Sequence, residues 1–217
     1  MDKDLVKAKQ DLFHRLRRVL HSESVLQAME KVPRELFVPW ESRHMAYLDQ
    51  PLGIGEGQTI SQPYMVALMS SALELGGQER VLDVGTGSGY QAAILSLLVP
   101  EGRVITVERV PILAERARAL LQELGYHNVE VELAGPTLGC PHRAPFDAIL
   151  VAAASPRLPD SLLSQLAVGG RLVIPVGSLD QQELVQALRT EEGLSVRLFG
   201  PCRFVPLIDD KEAFPEA

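Results

Sequence analysis

Cysteine, aromatic side chains and surplus positive charge are all scarce in this chain. Only Cys140 and Cys202 occur among its 217 residues, too few for the disulfide framework of a small secreted scaffold, and they stand in no CxxC or other metal-ligand spacing. The expectation is free thiols in a reducing compartment and no bound metal. Lys and Arg number 21 against 28 Asp and Glu, a net charge of −7, whereas a general nucleic-acid binder shows a basic stripe. The one basic cluster, Arg15, Arg17 and Arg18, reads as a solvated helix face. Apolar runs fall far short of the roughly 20 residues of a spanning helix, and the opening MDKDLVKAKQ is charged where a signal peptide has an apolar core. None of the five histidines stands in HxxxH spacing; each reads as a surface or packing residue. These scarcities together lead us to expect a cytoplasmic protein that engages neither membrane nor nucleic acid; we expect a monomer, though nothing in the composition fixes the oligomeric state.

What is present is an ordinary globular composition, 46% hydrophobic, which argues against disorder. The length suits one domain, 1–217, in three parts: N-terminal helices and a long loop (1–62), an α/β core (63–177), and a hairpin with a final strand (178–208). Helical periodicity over 3–31 predicts two helices with Ser22 as the cap between them. Residues 32–61 are rich in proline and glycine and read as a long loop, the kind that is often functional. A helix over 62–75 follows, with Pro63 in its first turn. Strands at 80–85, 103–108, 128–133, 146–153 and 169–176 then alternate with helices at 88–98, 111–124 and 159–166. That order predicts a doubly wound α/β architecture with a mainly parallel sheet. Segments 182–190 and 194–200, separated by Glu191-Glu192-Gly193, predict an antiparallel hairpin at the sheet edge and bring the strand count to seven. The acidic tail after Ile208 reads as frayed.

The sharpest local signal is Asp83-Val84-Gly85-Thr86-Gly87-Ser88-Gly89, between the first core strand and its helix. Glycines there allow a tight turn and close approach of a ligand, and open parallel sheets bind ligands at the carboxyl ends of their strands. The spacing is G-x-G-x-G, where dinucleotide oxidoreductases use G-x-G-x-x-G. No lysine completes a P-loop. A hydrolase nucleophile elbow around Ser88 requires glycine at 86 and 90, and those positions hold Thr86 and Tyr90. Glu108 ends the next strand, 19 residues after Gly89. A carboxylate there can accept hydrogen bonds from ribose hydroxyls, and this feature alone leaves NAD open. Asp83 and Glu108 could also serve only as strand-end and loop-capping groups.

An acidic residue before G-x-G-x-G resembles the first motif of class I S-adenosylmethionine methyltransferases. More of the chain, roughly 25–208, resembles the protein-L-isoaspartate O-methyltransferase family. The resemblance rests on VPRELFVP (32–39), AYLDQPLGIGEGQTISQPYMVA (46–67), VLDVGTGSGYQAA (81–93), APFDAILVAAAS (144–155), GGRLVIPVG (169–177) and RFVPL (203–207). It implies a Rossmann-like methyltransferase fold. It also implies methyl transfer from S-adenosylmethionine, leaving S-adenosylhomocysteine, to the α-carboxylate of L-isoaspartyl residues in damaged proteins and peptides. The ester then closes to a succinimide that reopens partly to aspartate. By position, Gln58, Thr59, Ile60 and Ser61 match the segment lining the cofactor and substrate pocket, with Ser61 as the active-site hydroxyl. Asp83, Gly85, Thr86, Gly87 and Gly89 form the cofactor loop. Glu108 and Arg109 match the ribose-contacting pair, and Phe204, Val205 and Pro206 match the peptide-binding strand. Ser61 could instead cap the helix that starts at Pro63. The chain departs from the family where Gly-Asp-Gly usually follows the third core strand. It has Ala134-Gly135-Pro136, so the loop facing adenine lacks a carboxylate whose hydrogen bond is worth about 1.5–3 kcal/mol. Two rival readings stand beside repair: a methyltransferase of this lineage acting on another carboxylate, and a non-catalytic cofactor- or protein-binding relative.

Overall fold

In the computed structural model, which describes residues 3–208, the N-terminal periodicity resolves into helices α1 (Lys3–Val19) and α2 (Glu23–Lys31). They bury Leu12, Phe13 and Leu16 against Val25, Leu26 and Met29. Ser22 occupies the N-cap position of α2, but its side chain makes no capping hydrogen bond. The expected cap is therefore one of position only, and apolar contact sets the junction. The tail after Ile208 lies outside the described residues. No described helix is long and apolar enough to cross a membrane.

The stretch expected to be a loop carries structure of its own. Two 3-10 turns, Arg34–Leu36 and Trp40–Met45, precede a hairpin of β1 (Leu52–Gly55) and β2 (Gln58–Ile60). The hairpin forms because Leu52, Ile54 and Ile60 bury one face while Gly55, Glu56 and Gly57 all take positive φ and reverse the chain. Only three apolar residues alternate there among many glycines, which hides the pattern in the sequence. Helix α3 (Pro63–Ala72) begins with Pro63 in its first turn and Gln62 at the N-cap position. Its Tyr64 N–H donates to Asp49 Oδ1 at 2.8 Å, so a carboxylate from 15 residues upstream satisfies one free donor of the first turn.

The core follows in chain order: β3 (Arg80–Val84), α4 (Tyr90–Leu98), β4 (Arg103–Glu108), α5 (Pro111–Glu123), β5 (Val129–Leu133), β6 (Phe146–Val151), α6 (Asp160–Leu163), β7 (Leu166–Gly177), β8 (Gln182–Thr190) and β9 (Gly193–Cys202). The last seven strands form one sheet in the order β5-β4-β3-β6-β7-β8-β9. Pairing is parallel from β5 through β7 and antiparallel from β7 through β9. Successive strand residues point to opposite faces: Val81, Val104, Ala148 and Val173 pack with α1–α4, while Leu82, Ile105, Ile149 and Leu172 build the second core. Most boundaries shift by one to three residues, and two elements differ more. The helix expected over 159–166 is only α6, because Leu166 already pairs with Phe146 at the start of β7. The RFVPL segment is an isolated parallel bridge, Ala154 to Pro206, rather than a strand. The order reverses between β3 and β6, which opens the switch-point crevice at their carboxyl ends.

Candidate active site

The β3–α4 loop sits at that crevice. Gly85 and Gly89 have φ of 98° and 87°, backbone conformations costly to any side chain. Space adds a second reason: an added Cβ on Gly89 would meet Leu121 and Ala117 of α5 at 3.2–3.4 Å. The loop hangs on β4. Gly85 N–H donates to Val107 O at 2.9 Å, and Gly87 N–H to Glu108 Oε2 at 2.9 Å. Glu108 Oε1 accepts from Val110 N–H, also at 2.9 Å. Each carboxylate oxygen thus holds one backbone donor and keeps acceptor capacity for another. Arg109, beside it, is exposed.

Asp83 is fully buried. Its Oδ2 accepts from the Thr106 hydroxyl at 2.7 Å. Since that commits the Thr106 proton, Thr86 donates to Thr106 Oγ1 at 2.7 Å. Oδ1 has no partner among the described residues. Burial, opposed by the Thr106 hydrogen bond and reinforced by the charge of Glu108, pushes the carboxyl up to about 7. Thr106 carries no motif, and only its register opposite Asp83 on the parallel neighbour could have pointed to it.

The hairpin comes over this loop. Ile54 Cδ1 lies 3.4 Å from where a Cβ on Gly87 would sit, and β2 leads straight into Ser61. Thr59 is exposed and Gln58 half-buried, while the Ile60 side chain is in the core; of Ile60 only the backbone can face a ligand. Ser61 is half-buried. Its hydroxyl makes no hydrogen bond among the described residues, and the cap position belongs to Gln62. The Ser61 carbonyl is held by Arg34 Nη2 at 2.7 Å, and Arg34 Nε donates to Ala46 O at 2.8 Å. Arg34 is fully buried and its guanidinium lies 4.8 Å from the Tyr90 ring centroid, on the first residue of α4. This arginine ties the Ser61 segment to the helix that follows the glycine loop, a role its place in VPRELFVP did not announce.

On the other side, Ala152 N–H donates to Val84 O at 2.9 Å, and Ala154 exchanges backbone hydrogen bonds with Val205 O and Leu207 N at 2.8 and 2.7 Å. Phe204 is fixed through both its N–H and its carbonyl by Gln182. Val205 and Pro206 stay exposed beside the carboxyl end of β6. Ala134 N–H donates to Glu108 O at 2.8 Å, placing the Ala134-Gly135-Pro136 loop next to Glu108, with open space around Gly135.

The model of the protein-L-isoaspartate(D-aspartate) O-methyltransferase family matches residues 7–212. The chain belongs to that family. Among its methyltransferase relatives, protein-L-isoaspartate O-methyltransferase 1 of Syntrophobacter fumaroxidans is 54% identical over 191 residues, 88% of each chain. The Methanopyrus kandleri enzyme is 49% identical over 220 residues, 99% of this chain and 97% of that one. A solved protein-L-isoaspartate O-methyltransferase superposes with a TM-score of 0.82 at 28% identity, over 92% of this chain and 65% of that one. A Plasmodium falciparum protein assigned to the same activity, solved with S-adenosyl-L-homocysteine, gives 0.80 at 26% identity, over 92% and 98%. The expected doubly wound methyltransferase fold is thus the fold of the isoaspartate methyltransferase family.

Proposed function

We propose that this chain transfers a methyl group from S-adenosylmethionine to the α-carboxylate of L-isoaspartyl residues in damaged proteins and peptides, with Ser61 positioning the acceptor. The observation that carries the assignment of residues is the convergence of three segments distant in sequence. The hairpin that leads into Ser61 comes over Gly87 through Ile54, the glycine loop hangs on Glu108, and Pro206 pairs with Ala154 just beyond the carboxyl end of β6.

The residues fit the cofactor. The loop offers no basic phosphate cradle, in keeping with a ligand that has no phosphate. Glu108 retains lone pairs for two ribose hydroxyls, and the unpartnered Oδ1 of Asp83 is a buried acceptor suited to a cationic donor. The bound cofactor supplies an electrophilic methyl carbon on a sulfonium. Acceptor carboxylates are already ionised at neutral pH, so the chain needs no strong base. Its task is to hold the acceptor oxygen in line and keep water out. The free Ser61 hydroxyl can donate to that carboxylate, and Arg34 fixes the backbone that carries it. Exposed Val205 and Pro206 offer an apolar contact to a peptide, and a net charge of −7 favours protein over nucleic acid as substrate.

The deciding assay presents labelled S-adenosylmethionine with an isoaspartyl peptide and its aspartyl twin. Labelling of the isoaspartyl peptide alone is expected. Labelling of both would refute the substrate assignment, and binding of S-adenosylhomocysteine without labelling of either would favour a non-catalytic relative.

A further inference from the structure

Away from the glycine loop, β5 and the turn beyond it bring together three side chains of a metal-ligating kind. Glu132 lies on β5; Cys140 follows eight residues on, and His142 two after that, on the 3-10 turn Pro141–Arg143. Cys140 Sγ is 3.6 Å from Glu132 Oε2 and 3.7 Å from His142 Nε2, and Nε2 is 3.1 Å from Oε2. A tetrahedral zinc with Zn–S near 2.3 Å and Zn–N and Zn–O near 2.0–2.2 Å has ligand-to-ligand edges of roughly 3.3–3.6 Å. The three observed edges bracket that range, but Sγ lies 3.8 Å from His142 Nδ1 as well, beside the ring and not in line with Nε2, so the exposed imidazole has to turn to aim a nitrogen at the cation. We propose that Glu132, Cys140 and His142 form a site for a divalent cation of zinc's borderline softness, which staples the end of β5 to the turn after it.

The surroundings hold these ligands in place. Glu132 Oε1, the oxygen turned from the triangle, accepts from Arg143 Nε at 3.0 Å. The Cys140 N–H donates to Gln165 Oε1 at 2.7 Å, and the Gln165 amide donates to Leu138 O and Ser161 O at 2.8 and 2.7 Å. Gln165 is buried, and so is Cys140. Gly139 packs so closely on Gln165 that an added Cβ would lie 2.6 Å from its Oε1. Outer contacts of this kind orient metal ligands. The His142 side chain is 68% exposed, so the fourth coordination position faces water.

The donor set chooses the cation. One sulfur, one imidazole nitrogen and one carboxylate suit zinc or cobalt, whereas magnesium and calcium take oxygen ligands. Burial pushes the Cys140 thiol up to about 11. As the metal–sulfur bond forms, the S–H bond breaks and its proton leaves to solvent. The sequence offered no hint because the ligands follow no recognised spacing; the bend from β5 into the 3-10 turn assembles them. The residues between the ligands include Ala134-Gly135-Pro136, and on the methyltransferase reading the staple would fix the loop beside the adenine.

The test uses the full chain, untagged and stripped of metal, with no cofactor or methyl acceptor, so failure of the substrate assignment and failure of this proposal are separable. Zinc is titrated in competition with a chromophoric chelator, and cobalt uptake is followed by absorbance. One equivalent of zinc should bind, and cobalt should give tetrahedral visible bands with a thiolate charge-transfer band. Cys140→Ser and His142→Ala should abolish both, and Cys202→Ser should keep both. Circular dichroism checks folding; the exposed His142 keeps the test valid if Cys140→Ser misfolds. Zinc should also slow proteolysis within 133–139. No stoichiometric uptake by the parent, or a cobalt–thiolate band that survives His142→Ala, would overturn the site. Equal proteolysis with and without zinc would overturn the staple.

Discussion

Replacing Asp83 by asparagine should reverse the sign of its effect on stability between mildly acidic and mildly alkaline pH. In the unfolded chain this carboxyl ionises near its ordinary 3.8; in the folded chain, desolvated and beside Glu108, it keeps its proton to about 7. Between those values the folded state holds one proton more, so wild-type stability falls as pH rises through the window and levels off above it. At about 1.4 kcal/mol per pH unit, the whole span is worth about 4 kcal/mol. The side chain introduced by Asp83→Asn carries no charge. It can still accept from Thr106, but it places an amide N–H2 where the unpartnered Oδ1 now lies, at a cost of about 1–3 kcal/mol. The variant should thus be less stable than the parent near pH 4 and more stable by about 1–3 kcal/mol at pH 8. Urea denaturation of the cofactor-free proteins at intervals from pH 4 to 8.5 measures the difference, in which the other titrating groups largely cancel. A difference that stays constant across this range would refute the reasoning. The same substitution should weaken binding of S-adenosylhomocysteine, whose ammonium group would lose the buried acceptor Oδ1.

Ser61→Ala should leave the melting temperature nearly unchanged, since the hydroxyl holds no partner among the described residues and caps no helix, yet should lower kcat; an unchanged rate per folded molecule would remove Ser61 from the reaction. Glu108→Ala should weaken cofactor binding and also destabilise the fold by about 1.5–3 kcal/mol or more, because it removes the acceptor for both Gly87 and Val110, whereas Glu108→Gln should retain most of the stability; calorimetry and denaturation separate the two effects. Arg34→Met should orphan the Ala46 and Ser61 carbonyls, at about 1–3 kcal/mol each, and should depress kcat more than KM for the cofactor in the folded fraction. Gly135→Asp with Pro136→Gly should tighten S-adenosylmethionine binding by at most about 1.5–3 kcal/mol and leave an analogue lacking the adenine amino group unaffected; equal changes for both ligands would show that the loop does not read the base.

The core was legible because its signals are local. Strand β4 falls at the residues its apolar run marks, and α5 starts at Pro111 and ends before Gly125, as helix punctuation predicts. The glycine loop was legible for the same reason: turn chemistry, spacing and the following carboxylate lie within one βαβ unit. The misreadings fall where tertiary contact decides. Ser22 stands at a cap position without bonding, since packing of α1 on α2 already fixes the junction. The hairpin of β1 and β2 was masked by its glycines, and α6 is short because β6 recruits the residues after Ser164 into β7.

What the sequence could not announce is a set of supports reaching across the fold to the candidate site. Asp49 caps α3, Arg34 holds the Ser61 carbonyl from 27 residues away, and Thr106 meets Asp83 from the neighbouring strand. Each partner is an ordinary polar residue whose meaning appears only when the sheet register and the fold of residues 32–61 are known. Arg34 makes the point most sharply. A fully buried guanidinium costs several kcal/mol to desolvate, and burial pulls its pKa below the ordinary value, so its hydrogen bonds to the Ala46 and Ser61 carbonyls must first offset that cost. Its retention between two carbonyls and the face of Tyr90 is understandable if the geometry of the Ser61 segment, rather than the free energy of folding, is what that side chain secures. The orphaned oxygen of Asp83 follows the same logic on the cofactor side: both side chains leave a polar atom unpartnered among the described residues, and each is bonded to a segment of the candidate site.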